Sequence, residues 1–492
     1  MNAPAEHRMS RVDTSWLRMD NDVNLMMIVG VWLLSPAITL AALRERIETR
    51  FLQYERFRHK AVIDALGASW VEDDAFDLHL HVVAEPLHPG AGQSERAALQ
   101  QLCGELADTP LDPGRPLWQF HLIERYEGGC AIIVRIHHCI GDGIALVSVM
   151  NSITDGGADP PKHPRQHPAH EGHDGDWLSE AVLRPLTAIA VKALNRSGDG
   201  MAGALDMLAH PRQPLQDGAD LARTGLHVLG DLAALALMAD DSPTRLKGKP
   251  VGHKVVAWGE PMPLDEVKAV GQSLNCSIND VLLACVAGAI GAWLIDQGDD
   301  PTGAEIRAMV PVNLRPLDQA WRLGNRFGLA PVVLPIGIAN PVERVYAVRA
   351  RMGQLKGSFQ PLLAYGVLAV TGLFVKPVQD LVLGLFSKKT TAVMTNVPGP
   401  RELLKLCGST LRQSMFWVPA SGDVGVGVSI LSYGGGVQFS LVTDAALCAS
   451  PQDIIDRFQP EFEKLLMLSL MLPWGGAAGA SMGTRPGKNA EA

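Results

Sequence analysis

The chain has 492 residues, 47% of them hydrophobic and only 19% charged, where soluble domains carry about 25% charged residues. That length suffices for two or three domains, and the composition excludes disorder, a collagen repeat and a coiled coil. The net charge of −9 argues against a nucleic-acid partner, because phosphate binding needs a basic face.

In chain order, residues 25–34 form a continuous apolar run of strand length. Ser35-Pro36 reads as a helix start, followed by Leu40, Leu43 and Ile47 at helical spacing. Phe76, Leu78, Leu80 and Val82 alternate with Asp77, His79 and His81, which predicts a half-buried strand. A helix over 95–106, a strand over 117–124 and an apolar strand over 130–136 follow. A polar, glycine-rich turn then leads into a helical pattern over 141–150.

Residues 154–176 shift to Pro, His, Gly and Asp and read as a loop. Residues 177–241 are Ala/Leu-rich and predict two helices broken near 211–214. Strands are expected over 254–258, 307–312 and 330–333, with a helix carrying Leu282, Leu283, Val286, Ile290 and Leu294 between the first two. Residues 424–430 and 437–442 predict a hairpin around 432–436, and 450–467 a closing helix. The expected fold class is α/β (α+β) in two lobes. The N-terminal lobe covers 1–176, a helical crossover 177–245, the C-terminal lobe 246–474 and a disordered tail 475–492.

The best candidates for a membrane span, 362–375 and 465–472, end at Lys376-Pro377 and Pro473. Both fall short of the roughly 20 residues of a membrane span. Residues 2–22 mix both charges without an apolar core, so no secretory signal is expected. Seven scattered cysteines without a CxxC pair suggest free thiols in a reduced compartment. The expectation is a soluble or peripheral cytoplasmic protein.

The sharpest chemical feature is His137-His138-Cys139-Ile140-Gly141-Asp142-Gly143 directly after an apolar strand. A strand end aims a side chain into a cleft from a rigid backbone, and histidine there can serve as a general base near neutral pH. Asp142 can fix the turn, and the glycines leave room for a substrate beside the backbone. His163, His167, His170 and His173 lie among prolines and read as a solvated loop, not a metal site. Tyr433-Gly434-Gly435-Gly436 reads as a turn, since no GK[ST] helix start follows. Cys139 is not expected to be a nucleophile, because neighbours on a strand end point to opposite sides.

With this motif the sequence resembles the bacterial wax ester synthase/diacylglycerol acyltransferases, within the CoA-dependent acyltransferase superfamily. The likeness runs over roughly 9–472. Its other carriers are Ser10-Arg11-Val12-Asp13 with Trp16-Leu17, the stretch from Phe76-Asp77 to Pro86, and Arg115-Pro116-Leu117-Trp118. Further along come Ser277-Ile278-Asn279-Asp280-Val281, Val310-Pro311-Val312-Asn313-Leu314-Arg315-Pro316, Gly324-Asn325-Arg326-Phe327-Gly328 and Thr395-Asn396-Val397-Pro398-Gly399-Pro400. HHxxxDG alone also occurs in peptide-synthetase condensation domains; the PLW, ND and NVPGP set separates the two.

The resemblance implies two chloramphenicol-acetyltransferase-like lobes with a tunnel at their interface. It implies transfer of a fatty acyl group from acyl-CoA, a co-substrate, to a long-chain alcohol or diacylglycerol, with no cofactor and no metal. His138 would be the general base, and the absence of a GxSxG elbow suits a route without an acyl-enzyme. His137 would support it, Gly143 would keep the channel open, and Asp142 would orient the loop through a salt bridge, with Arg315 offered as partner. Asn279 is the first candidate donor to the tetrahedral intermediate, with a helix N-cap beside Asp280 as the equal alternative. Thr395 and Asn396 are weaker donor candidates, and Pro116, Leu117 and Trp118 read as packing under the site. The alternatives are a condensation-type or other small-acceptor acyltransferase and a catalytically silent lipid-binding protein. The stretch 362–385 could touch a membrane or lipid droplet, although a buried helix pair is the plainer reading.

Overall fold

The computed structural model describes residues 7–64, 67–157, 240–314, 322–355 and 387–471. The Pro/His-rich loop with its four histidines, most of the 177–245 crossover, Arg315, the 362–385 stretch and the 475–492 tail lie outside the described residues.

The first half contains β1 (His7–Arg8), α1 (Arg11–Met19), β2 (Met27–Ser35), α2 (Leu40–Thr49), β3 (His59–Asp64), β4 (Gly67–Glu72), α3 (Leu78–His81) and β5 (Val82–Ala84). It continues with α4 (Glu95–Asp108), β6 (Trp118–Tyr126), β7 (Gly129–His137) and α5 (Gly143–Ser152). The second half begins with β8 (Lys254–Trp258), β9 (Met262–Pro263), α6 (Leu264–Ser273), α7 (Ile278–Asp296), β10 (Ile306–Asn313), β11 (Phe327–Leu334) and α8 (Pro341–Leu355). It ends with β12 (Ala392–Pro398), β13 (Lys405–Leu406), β14 (Ser409–Trp417), β15 (Val426–Tyr433), β16 (Gly436–Asp444) and α9 (Gln452–Met471).

Two mixed sheets carry the architecture, in the order β13-β14-β2-β7-β6-β5 and β11-β10-β12-β15-β16-β8, with β9 beside β16. A small sheet, β1-β4-β3, flanks the first. Strand β14 leaves the second half of the chain and pairs antiparallel with β2, Phe416 opposite Gly30 and Trp417 opposite Val29. The first sheet is therefore completed by the late chain. Gly129 opens β7 at a point where a Cβ would lie 2.0 Å from the Leu34 carbonyl oxygen, so only glycine fits.

Two sequence expectations differ from the structure. The alternation over 76–82 yields a one-turn helix, because the Asp77 carboxylate accepts from the His79 N–H at 2.9 Å and caps it; strand begins only at Val82. Leu80 is consequently exposed. The second helix starts not at Ser35-Pro36 but after Thr39, whose hydroxyl accepts from the Ala42 N–H at 3.2 Å.

Helix α7 is, among the described residues, the one helix long and apolar enough to cross a membrane, and 78% of its apolar window is buried inside the second lobe. It is packed on all sides by the sheet face bearing Ala392, Met394, Val428 and Ile430 and by α8 and α9. The opposite face of that sheet meets the first lobe. There Trp258 and Val256 pack with Val29, Val31 and Trp417, while Phe327, Leu431 and Tyr433 join the main core of the first lobe.

Candidate active site

Strand β7 delivers the histidine pair to the junction of the lobes. The His137 N–H donates to the Leu117 carbonyl at 2.9 Å and the His138 N–H to the Met26 carbonyl at 2.7 Å, so both neighbouring segments hold this strand end. The His137 Nδ1 accepts from the Cys139 N–H at 3.1 Å, and its Nε2 lies 3.5 Å from the Asp20 carboxylate. The His138 imidazole is buried and stacks on the Trp16 indole, ring centroids 4.1 Å apart and planes 13° apart. Phe327 packs against both rings, its centroid 5.5 Å from that of His138 and 5.9 Å from that of Trp16. Burial lowers the His138 pKa to about 4, and the adjacent His137 adds to that. The ring is neutral throughout the physiological range.

The loop 139–143 is laced to residues 324–326 of the second lobe. Gly324 donates to the Ile140 carbonyl at 3.0 Å, and the Asp142 N–H donates to the Gly324 carbonyl at 3.3 Å. Asp142 is buried and caps α5: one carboxylate oxygen accepts from the Ala145 N–H at 2.9 Å, the other from the Arg326 N–H at 3.0 Å. Arg315, offered as its partner, lies outside the described residues. Gly324 sits at φ +103°, a conformation that favours glycine.

Asp13 performs the matching task from α1. Its buried carboxylate accepts from both the backbone N–H (2.9 Å) and the side-chain amide (2.8 Å) of Asn325. The same Asn325 amide donates to the His138 carbonyl at 2.7 Å. Burial raises the Asp13 pKa, and Arg56, 3.7 Å away, opposes that. Asp13 and Trp16, three positions apart on one helix, thus hold the backbone and the ring of His138. Neither they nor Asn325, Phe327 or Asp20 drew a role from the sequence. The signal was present in the Ser-Arg-Val-Asp and Gly-Asn-Arg-Phe-Gly stretches, but only proximity shows what they hold.

The remaining candidate residues fall in different places. Leu117 and Trp118 are buried beside the histidine strand, Trp118 paired with Ile136, and the Trp118 indole N–H donates to the Phe57 carbonyl at 2.8 Å; Pro116 precedes them, its carbonyl accepting from the Trp118 N–H. The cap of α7 is Ser277, which forms a capping box with Asp280, so Asn279 is not the N-cap. Asn279 is exposed and its side-chain oxygen accepts from the Asn396 amide at 3.0 Å. Thr395, one position earlier on β12, faces the other way, toward the first lobe, and is buried. Cys139 is buried, and burial pushes its thiol well above the usual range, which leaves it protonated.

Two clefts open at the lobe junction. The larger is lined by Ile28, Gly30, Trp32, Ile136, Gly143 and Leu431, among others. A Cβ on Gly143 would meet no atom within 4 Å, since that position faces the cleft. The smaller lies between Met27, Val29, Trp417, Gly427 and Val442. Alternate residues of β2 line the two clefts, which places them on opposite faces of the first sheet.

The family model described as the wax ester synthase/diacylglycerol acyltransferase catalytic domain matches residues 9–282, and that family's C-terminal domain matches 323–466. A Mycobacterium bovis protein, provisionally named a diacylglycerol O-acyltransferase, is 30% identical over 433 residues, covering 85% of this chain and 80% of the relative. The wax ester synthase/diacylglycerol acyltransferase structure from Marinobacter aquaeolei VT8 superimposes with a TM-score of 0.64 at 19% identity, covering 94% of this chain and 100% of that one. The first condensation domain of the CDA synthetase follows at 0.55 and 14% identity, covering 96% and 97%. These structural likenesses concern the two-lobe fold.

Proposed function

The chain belongs to the wax ester synthase/diacylglycerol acyltransferase family and is an acyltransferase; from that premise we propose that it moves a fatty acyl group from acyl-CoA to a long-chain alcohol or a diacylglycerol, with His138 as general base. An alcohol is a poor nucleophile until its proton leaves. The His138 Nδ1 is buried against the protein, so Nε2 is the nitrogen assigned to the acceptor hydroxyl. As Nε2 takes the proton, the alkoxide oxygen attacks the thioester carbonyl. The tetrahedral intermediate collapses by breaking the C–S bond, and the imidazolium returns the proton to the departing CoA thiolate. No covalent acyl-enzyme and no cofactor beyond the acyl-CoA co-substrate enters this route.

The observation that carries this reading is the neutral, Trp16-stacked imidazole of His138 at the junction of the two lobes. A base must be unprotonated to act, and burial secures that. Asp142 positions the loop through α5 and Arg326, and His137 is tied to Asp20 and the Cys139 amide. Thr395, on the face turned to the first lobe, is the favoured hydrogen-bond donor, while Asn279 and Asn396 engage each other. The larger cleft, with Ile28, Trp32, Leu146 and Leu431 in its wall, suits an alkyl chain by its apolar lining. We place the protein in the cytoplasm, with Met467, Leu470 and Met471, all exposed at the end of α9, as a contact for a membrane or lipid-droplet surface.

An acceptor panel tests the substrate assignment. The protein is supplied with palmitoyl-CoA and, in turn, hexadecanol, dioleoylglycerol and a small hydrophilic alcohol, and the lipid products are resolved. Wax ester or triacylglycerol is expected; ester formed only with the small alcohol would favour a small-acceptor acyltransferase.

A further inference from the structure

The second-lobe sheet turns one row of side chains toward the first lobe. On β15 this row is Gly427, Ser429, Leu431 and Tyr433; on β12 it is Thr395 and Val397. Thr395 stands directly opposite Ser429, and Val397 opposite Leu431. Gly427 lines the smaller cleft and Leu431 the larger, so Ser429 occupies the step between the two. Val418 lines both clefts, which marks the place where they approach each other.

On its other side Ser429 stands directly opposite Ser440 of β16, which is also buried, and Ser429 and Thr395 are each only 2% exposed. Neither hydroxyl has a hydrogen-bond partner among the described residues. Buried hydroxyls are nearly always satisfied, because an unpaired one loses its water and gains nothing. Two of them side by side on adjacent strands, between two apolar clefts, fit a ligand oxygen that both can reach. Packing alone would be served better by alanine and valine at these positions.

We infer that Ser429, together with Thr395, donates hydrogen bonds to a carbonyl oxygen of the acyl donor where it passes between the two clefts. This rests on the reading of the chain as an acyl-CoA-dependent acyltransferase. A hydroxyl donates one hydrogen bond to a carbonyl and keeps its own oxygen for other contacts. Acyl-CoA offers two kinds of carbonyl to such a pair, the thioester and the amides of the pantetheine arm.

The test uses the full chain, wild type and with Ser429→Ala or Ser429→Cys, and two unreactive ligands. S-(2-oxooctadecyl)-CoA carries a ketone one methylene from the sulfur, and S-hexadecyl-CoA lacks it; both keep the pantetheine amides. Loss of the hydroxyl is expected to weaken the ketone analogue about tenfold. An unchanged affinity for the thioether assigns the thioester carbonyl; an equal loss for both assigns a pantetheine amide. Affinities within twofold of wild type for both ligands would overturn the inference. The melting temperature of Ser429→Ala should equal or exceed that of wild type, because an unpaired buried hydroxyl has been removed. A marked fall in both variants, with both ligands bound normally, would show a structural role instead. Wild-type turnover of palmitoyl-CoA is measured in parallel: its absence would count against the acyltransferase reading, while analogue binding still reports on Ser429.

Discussion

Trp16 lies flat on His138, with ring centroids 4.1 Å apart and an interplanar angle of 13°. A residue of the first helix therefore forms one wall around the histidine at the end of β7. The stack fixes the imidazole plane and removes water from one face, and the second effect keeps the ring neutral.

Replacing Trp16 with Ala should loosen both controls. The acid limb of the kcat/KM profile, set by the His138 pKa of about 4, should move up toward the ordinary histidine value, and kcat should fall about tenfold or more through lost orientation. Trp16→Phe should retain most of the rate and the low acid limb. Steady-state kinetics between pH 4 and pH 8 check both.

Asn325 bridges Asp13 and the His138 carbonyl. Asn325→Ala should leave a buried carboxylate oxygen short of a partner and cost about 1–3 kcal/mol in stability. Its kcat should fall with little change in the KM for acyl-CoA. Asp13→Asn should destabilise by a similar amount, since an amide can set its own N–H against the donors of Asn325. Urea unfolding with parallel kinetics measures these effects.

Asp142→Ala removes a helix cap and the acceptor for the Arg326 N–H. The expected destabilisation is about 2 kcal/mol or more. Asp142→Asn keeps the capping oxygen and should recover part of the stability but less of the activity, because the Arg326 amide loses its carboxylate. Thermal melts of the two variants should rank them in that order.

The neutral burial of His138 has a sign in stability. Its folded pKa, about 4, lies below the usual unfolded value of about 6.5. The unfolded chain therefore binds the proton first as pH falls. Stability from this residue is fully present above about pH 6.5 and is lost as pH falls toward the folded value, by about 1.4 kcal/mol per pH unit at most. Buried His81 and His121 are also lowered and tilt the profile the same way. The slope specific to His138 is the difference between wild type and His138→Gln in urea unfolding between pH 4.5 and pH 6.5.

The strands were legible where apolar runs were long. Residues 254–258 read as strand and form β8, and the hairpin expected around 432–436 is β15 and β16. The 76–82 pattern misled because Asp77 and its local hydrogen bond outweighed period-two alternation in a segment too short to hold a strand. Strand β14 is not legible in the sequence, because its mixture of Arg412, Gln413 and Ser414 with Leu411 and Phe416 shows no clean period, and its pairing with β2 is set by tertiary contact. At the site, His138 and Asp142 stood out as residues with evident chemistry. Trp16, Asn325 and Ser429 did not, because a stacking ring, a bridging amide and an unpaired hydroxyl acquire meaning only from what lies across the lobe junction.

The central claim is that His138 is the base for acyl transfer from acyl-CoA. Its most direct test is thiol release from palmitoyl-CoA in the presence of hexadecanol or dioleoylglycerol, comparing wild type with His138→Ala at matched circular dichroism spectra. Wild type should release CoA thiol in step with ester formation, and His138→Ala should lose about 10²-fold or more of that rate. Full turnover by a folded His138→Ala protein would contradict the assignment.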